Sequence, residues 1–171
     1  MKKNIINLIV FVILLVVMSS SCTYSVYSNA LPHLKTIEII EFENKSDEYG
    51  LEESLTDQLL TKFESDRKLK IVSLNPDCVL SGEILDYSDK IKGYSESNEI
   101  EEYEVKILLN IQFTDLVKNN ELWANESLML TEDYSPSEVE NATVATTAEE
   151  ALQNIMEDLY REILKNTLEE W

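Results

Sequence analysis

"YEVKILLNIQF", residues 103–113, puts Tyr103, Val105, Ile107, Leu109, Ile111 and Phe113 at every second position. Successive strand side chains point to opposite faces. The spacing therefore predicts a β-strand with one face in a core, while Glu104, Lys106, Asn110 and Gln112 mostly face elsewhere. The segments on either side need only supply partners for that strand and a cover for its apolar face.

Downstream, "VKNNELW" (117–123) reads as a hairpin, with Asn119 and Asn120 tolerating the positive φ of a primed turn. It leads into a further strand, "LWANESLMLTEDY" (122–134). Residues 134–146, "YSPSEVENATVAT", are small, polar and without period, which predicts a loop long enough to be either mobile or used in an interaction. A helix follows from about residue 147. Thr147 and Glu150 have capping-box spacing, Glu149 and Glu150 suit the positive end of the helix dipole, and Leu152, Ile155, Leu159, Ile163 and Leu168 mark a buried stripe.

Upstream, "CVLSGEILDYS" (78–88) and "KLKIVSL" (68–74), the latter stopped by Asn75-Pro76, read as strands. Leu51, Leu55, Leu59 or Leu60, and Phe63 recur at three- and four-residue steps, which predicts an amphipathic helix from about Gly50 to Ser65. Before it, "KTIEIIEF" (35–42) is a β-branched strand bounded by Pro32 and the turn-rich "ENKSDEYG". The expected order is β-α-β-β-β-β-α: an α+β fold with both helices on one face of a mostly antiparallel or mixed sheet.

The first residues obey other rules. Lys2 and Lys3 precede an apolar run from Leu8 to Met18, and no acid occurs before Glu38. This is the layout of a secretory signal; the competing reading, a spanning helix, needs roughly 20 apolar residues. Ser19, Ser20 and Ser21 stand directly before Cys22, and together they resemble the lipobox of bacterial lipoproteins, in which the cysteine is acylated and becomes the new N-terminus. Acyl chains contribute about 0.8 kcal/mol per buried CH₂, and two or more hold a protein stably on a bilayer. The alternative is a secreted protein with a Cys22–Cys78 disulfide, since Cys78 is the only other cysteine. Lipidation of Cys22 with a reduced, buried Cys78 accounts better for both. The expected organisation is a signal peptide over 1–21, a lipidated tether over 22–34 and a single domain over 35–171.

The chain carries a formal charge of −19. Taking Lys2 and Lys3 from its 14 basic residues leaves 12 against 33 acidic ones, or −21. No basic stripe is available for nucleic acid, and acidity of this size works against electrostatic docking on anionic lipid. No enzyme chemistry is legible. The only histidine, His33, lies in the tether and reads as a solvated surface residue; acid pairs such as Glu52-Glu53 read as solvated faces. "DEYGLEE" lacks the ligand spacing of a calcium loop, and three glycines cannot build a phosphate cradle. No catalytic residue, metal ligand or cofactor is expected.

An ordered set of segments resembles the LPS-assembly lipoprotein family, LptE. It comprises Cys22-Thr23-Tyr24, "LPHLKTI" (31–37), Phe42-Glu43-Asn44, Leu51 to Phe63, "VLSGEI" (79–84), "FTDL" with "ELW" (113–123), and "AEEAL" with "MEDL" (148–159). The resemblance implies a lipid-anchored, non-catalytic protein on the periplasmic face of the outer membrane. Such proteins plug the lumen of an LptD-like β-barrel as 1:1 partners, assist its assembly and help deliver lipopolysaccharide to the surface. Lys90 and Lys92, in "SDKIKGYS", are the nearest candidates for contacts with lipopolysaccharide phosphates. The strand-helix-strand opening also resembles penicillin-binding-protein activator and curli-secretion lipoproteins, so a periplasmic regulatory role stays open. The long hairpin around Asn119-Asn120 favours the barrel plug.

Overall fold

The computed structural model describes residues 31–94, 100–135 and 145–168. The expected signal segment, Cys22, most of the tether and the centre of the 134–146 loop lie outside them. The described residues form six strands and two helices in chain order: β1 (Thr36–Ile39), β2 (Glu43–Asn44), α1 (Leu51–Asp66), β3 (Lys70–Ile71), β4 (Cys78–Tyr94), β5 (Ile100–Asp115), β6 (Asn120–Tyr134) and α2 (Ala148–Thr167). One mixed sheet has the order β3-β1-β4-β5-β6, with β2 continuing the β1 edge along β4. The β1, β2 and β3 pairings are parallel, and those of β4, β5 and β6 are antiparallel. This is the α+β architecture expected, with one extra two-residue strand.

The alternation on β5 holds: Val105, Ile107, Leu109, Ile111 and Phe113 are fully buried. Both helices cover that face. Leu51, Leu55, Leu59 and Phe63 of α1, and Ile155, Met156, Leu159 and Ile163 of α2, complete the core. The helices run the same way and meet at Phe63 and Tyr160, whose rings pack edge to face with centroids 5.0 Å apart. Thr147 caps α2 by accepting from the Glu150 N–H at 3.1 Å. The reciprocal half of the box shifts by one residue, because Glu150 accepts from the backbone N–H and hydroxyl of Thr146.

Four boundaries differ from the sequence reading. The first strand divides into β1 and β2, because Phe42 turns inward over Gly82. A Cβ on Gly82 would lie 2.5 Å from Phe42 Cε1 and 2.4 Å from the Asn110 carbonyl oxygen. The 68–74 strand shrinks to Lys70–Ile71, the residues in register with Thr36 and Ile37 of β1. Strands β4 and β5 run on to Tyr94 and from Ile100 as a paired arm beyond the helices, where no core requires an apolar rhythm. The β5–β6 turn spans 116–119. Asn119 alone takes positive φ (51°), and Asn120 already pairs with Asp115.

Candidate functional site

The strand directions divide the domain into two ends. At the base lie the chain entry at 31–36, the starts of β1, β3 and β4, the β5–β6 turn and the C-termini of both helices. The opposite, distal end holds the β4–β5 arm, both helix N-termini and the 45–50 turn.

Two carboxylates organise the base. Asp77 Oδ2 accepts from the backbone N–H groups of Lys35 (2.8 Å) and Thr36 (2.9 Å). These bonds, the Lys35 N–H first, hold its carboxyl below the ordinary value. Asp115 is fully buried, its Oδ2 lying 2.6 Å from His33 Nε2 and its Oδ1 accepting from the Lys118 N–H at 2.9 Å. Burial pushes the Asp115 carboxyl up, but His33 and the turn N–H groups outweigh it and leave it below the carboxylate norm. His33 is therefore no solvated tether residue. It fastens the chain entry to the end of β5, and Leu34, also assigned to the tether, is buried in the core.

Cys78 is register partner to Asp115, so a cysteine, an aspartate and a histidine meet here. They do not form a nucleophile–base pair: a base must touch the nucleophile, whereas here the Cys78 thiol donates to the Thr36 carbonyl at 3.3 Å and the His33 ring is turned to Asp115. Burial, then the nearby Asp77 and Asp115 charges, push the thiol up to about 12. Cys78 is free and buried, as expected.

On the arm, Lys90 and Lys92 project from the same side of β4. Lys90 is register partner to Glu104, which is partner to Asp133 on β6. Lys92 Nζ is bonded to Asp133 Oδ2, and that bond leads the effects that raise its pKa, followed in sense by Glu102 and Glu104. Behind them Tyr103 and Tyr134 stack at 4.9 Å, and the Tyr134 hydroxyl donates to both Asp89 oxygens (3.1 and 3.0 Å). Burial, reinforced by Asp89, lifts that phenol to about 12. One face of the arm thus carries lysines among carboxylates and the other the tyrosine pair with Asp89, rather than an open basic patch. The pairing with Asp133 had no signal in the sequence, because the two residues meet only through the register of three strands.

An open groove of about 360 Å³ between the helices is lined by Asp57, Gln58, Thr61, Lys62 and Gln153, and the Lys62–Glu157 ion pair lies beside it. No group of side chains fit to hold a metal occurs among the described residues. No helix of the described residues is long and apolar enough to cross a membrane.

This geometry defines a small scaffold whose polar groups brace its own strands. The family model for LptE, lipopolysaccharide-assembly, matches residues 34–167, and the chain belongs to that family. The chain is accordingly a lipopolysaccharide-assembly lipoprotein by family. Among solved structures, it is similar to protein XCC0632 from Xanthomonas campestris (15% identity, 79% of this chain and 89% of that one, TM-score 0.53). It is also similar to the PelC dodecamer subunit from Paraburkholderia phytofirmans (14%, 82% and 93%, TM-score 0.51) and to the hypothetical protein CT253 from Chlamydia trachomatis (10%, 77% and 94%, TM-score 0.50). At such identities these likenesses show a shared fold. No curated protein matches the chain in sequence.

Proposed function

We propose that this chain is a non-catalytic outer-membrane lipoprotein that plugs an LptD-like β-barrel, one to one, and assists its assembly and the delivery of lipopolysaccharide to the cell surface. Residues 1–21 are the cleaved signal, Cys22 carries the acyl anchor, and the tether over 22–34 leads to a plug formed by residues 35–171, which already holds the tether's last residues, His33 and Leu34. The observation that carries this reading is the family match across residues 34–167. The sheet face away from the helices supports it, because Ser81, Glu83, Lys106, Asn110 and Gln112 suit the polar lumen of a large barrel. The acyl anchor supplies the membrane attachment that no described helix can.

Affinity isolation from solubilised outer membranes tests the proposal. Recovery of an LptD-like barrel in equal amount is expected; recovery of peptidoglycan synthases or a secretion pore without a barrel transfers the chain to the regulatory class. Lys90 and Lys92 are the proposed lipopolysaccharide-phosphate contacts. A phosphate there competes with Asp133 and Glu104, so K90A/K92A is expected to weaken lipopolysaccharide retention in a salt-dependent way. Unchanged retention removes them from the site.

A further inference from the structure

The base carries an exposed apolar group that the core does not need. Leu74 is 83% exposed in the β3–β4 loop, and Val117 (58%) and Leu116 (45%) project from the β5–β6 turn. The two segments are joined, because the Leu116 N–H donates to the Asp77 carbonyl at 2.8 Å, three residues after Leu74. The described chain enters at this same end, where Asp77 and Asp115 clamp residues 33–36.

Charge is distributed unevenly along the domain. At the base, Asp77 and Asp115 are occupied with backbone N–H groups and His33, while Lys35, Lys70 and Lys118 are exposed and in no ion pair among the described residues. Lys35 and Lys70 are neighbours, the Lys70 N–H donating to the Lys35 carbonyl at 2.8 Å. The distal end is densely acidic in the 43–53 turn and on the arm, whereas at the base Glu64, Asp66, Glu121 and Glu162 are matched by Arg67, Lys68 and Lys165, with ion pairs Lys68–Asp66 and Lys165–Glu162. The base is therefore closer to neutral than the overall charge, which alone disfavours an anionic surface.

We infer that the base is a bilayer-docking surface, on which Leu74, Leu116 and Val117 enter the interfacial layer while Lys35, Lys70 and Lys118 face lipid phosphates. This rests on the proposed acylation of Cys22. Leu31 lies nine positions after Cys22, and a chain reaches at most about 3.3–3.6 Å per residue. The anchor thus keeps the base within about 30 Å of the bilayer. Apolar side chains flanked by lysines suit that boundary, the ammonium groups staying at headgroup level while their stems lie along apolar surface. The anchored body then stands with its arm and helix N-termini turned from the membrane.

The test uses the full acylated chain in vesicles of phosphatidylethanolamine and phosphatidylglycerol, with no barrel present. Leu74→Cys, Val117→Cys and, as distal control, Tyr49→Cys are labelled with an environment-sensitive fluorophore. The native Cys78 is buried and stays unlabelled. Acylation at Cys22 is verified by mass spectrometry in the same samples. Blue-shifted emission at 74 and 117, quenched by brominated lipid, with a water-like signal at 49, supports docking. Water-like labels at 74 and 117 on an acylated, vesicle-bound chain overturn docking alone, as does a blue shift that appears only when a partner protein is added. An unacylated Cys22 in native membranes overturns the anchor and docking together. K35E/K70E/K118E is expected to reduce the blue shift at 74 and 117 while leaving flotation unchanged; an undiminished shift removes the lysines from the surface.

Discussion

His33 and Asp115, 82 residues apart, meet at 2.6 Å and fasten the entry of the chain to the end of β5. The same carboxylate caps the turn into β6, so one buried group holds two chain reversals. Asp115→Ala removes an acceptor from His33 and from the Lys118 N–H and is expected to cost about 1–3 kcal/mol. Urea unfolding at neutral pH measures it, and a midpoint equal to the parent's would refute the clamp.

The same clamp sets an acid dependence. Asp115 and Asp77 are both held below the ordinary carboxylate value in the folded state. As pH falls, the unfolded chain takes up these protons first. Their contribution is therefore present above the ordinary carboxylate value of about 3.9 and is lost as pH falls through the lower folded values. The urea midpoint should decline between about pH 5 and 3, and D77N/D115N should flatten that decline. An equally steep decline in the double variant would assign it to other acids.

Gly82 is expected to tolerate no side chain. Its Cβ position is already occupied by the Phe42 ring and the Asn110 carbonyl, so Gly82→Ala forces Phe42 aside at a cost of about 1–3 kcal/mol. Pairing G82A with F42L should restore part of the loss, whereas strictly additive losses in a double-mutant cycle would show that the two sites are independent.

Cys78 provides a count of free thiols. With its thiol buried and pushed up to about 12, a native chain acylated as proposed is expected to react negligibly with a disulfide reagent at pH 8, and to release a single equivalent on unfolding in denaturant. Two equivalents would mean that Cys22 is free.

Thr147 is the side-chain cap of α2. Thr147→Ala should lower stability by about 1 kcal/mol and Thr147→Asp should retain most of it. Thermal melts distinguish this from a structural role of the hydroxyl in packing, in which case the aspartate would fare no better than the alanine.

The parts of this fold legible in the sequence are those where a local period reports burial. Strand β5 is the clearest, because every odd side chain from Val105 to Phe113 lies under a helix. The helices were legible for the same reason, and the Thr147 cap because its partner is three residues away. The arm was not: past Asp89, the partner of the buried Val105, β4 runs on to Tyr94 through mostly exposed residues, so its alternation carries no apolar signal there. The division of the first strand was hidden too, since Phe42 turns inward for the sake of a glycine forty residues on. At the base, the type of each residue was visible, but His33 and Asp115 are brought together by three strands, and no spacing within one segment encodes that meeting. Lys92 is similar; its lysine could be named, and its partner Asp133 could not.

Past Ile84, β4 offers its outer backbone to no described strand, as β6 does along much of its free side. Such borders invite neighbouring molecules to stack on them, yet Asp86, Asp89, Lys90 and Lys92 line the first and Glu126, Glu132 and Asp133 the second. Charges there make accretion of further copies costly. The chain can therefore reach a high local concentration without polymerising through its edges, and the charges that look like mere solubilising coat also guard the two seams of the sheet.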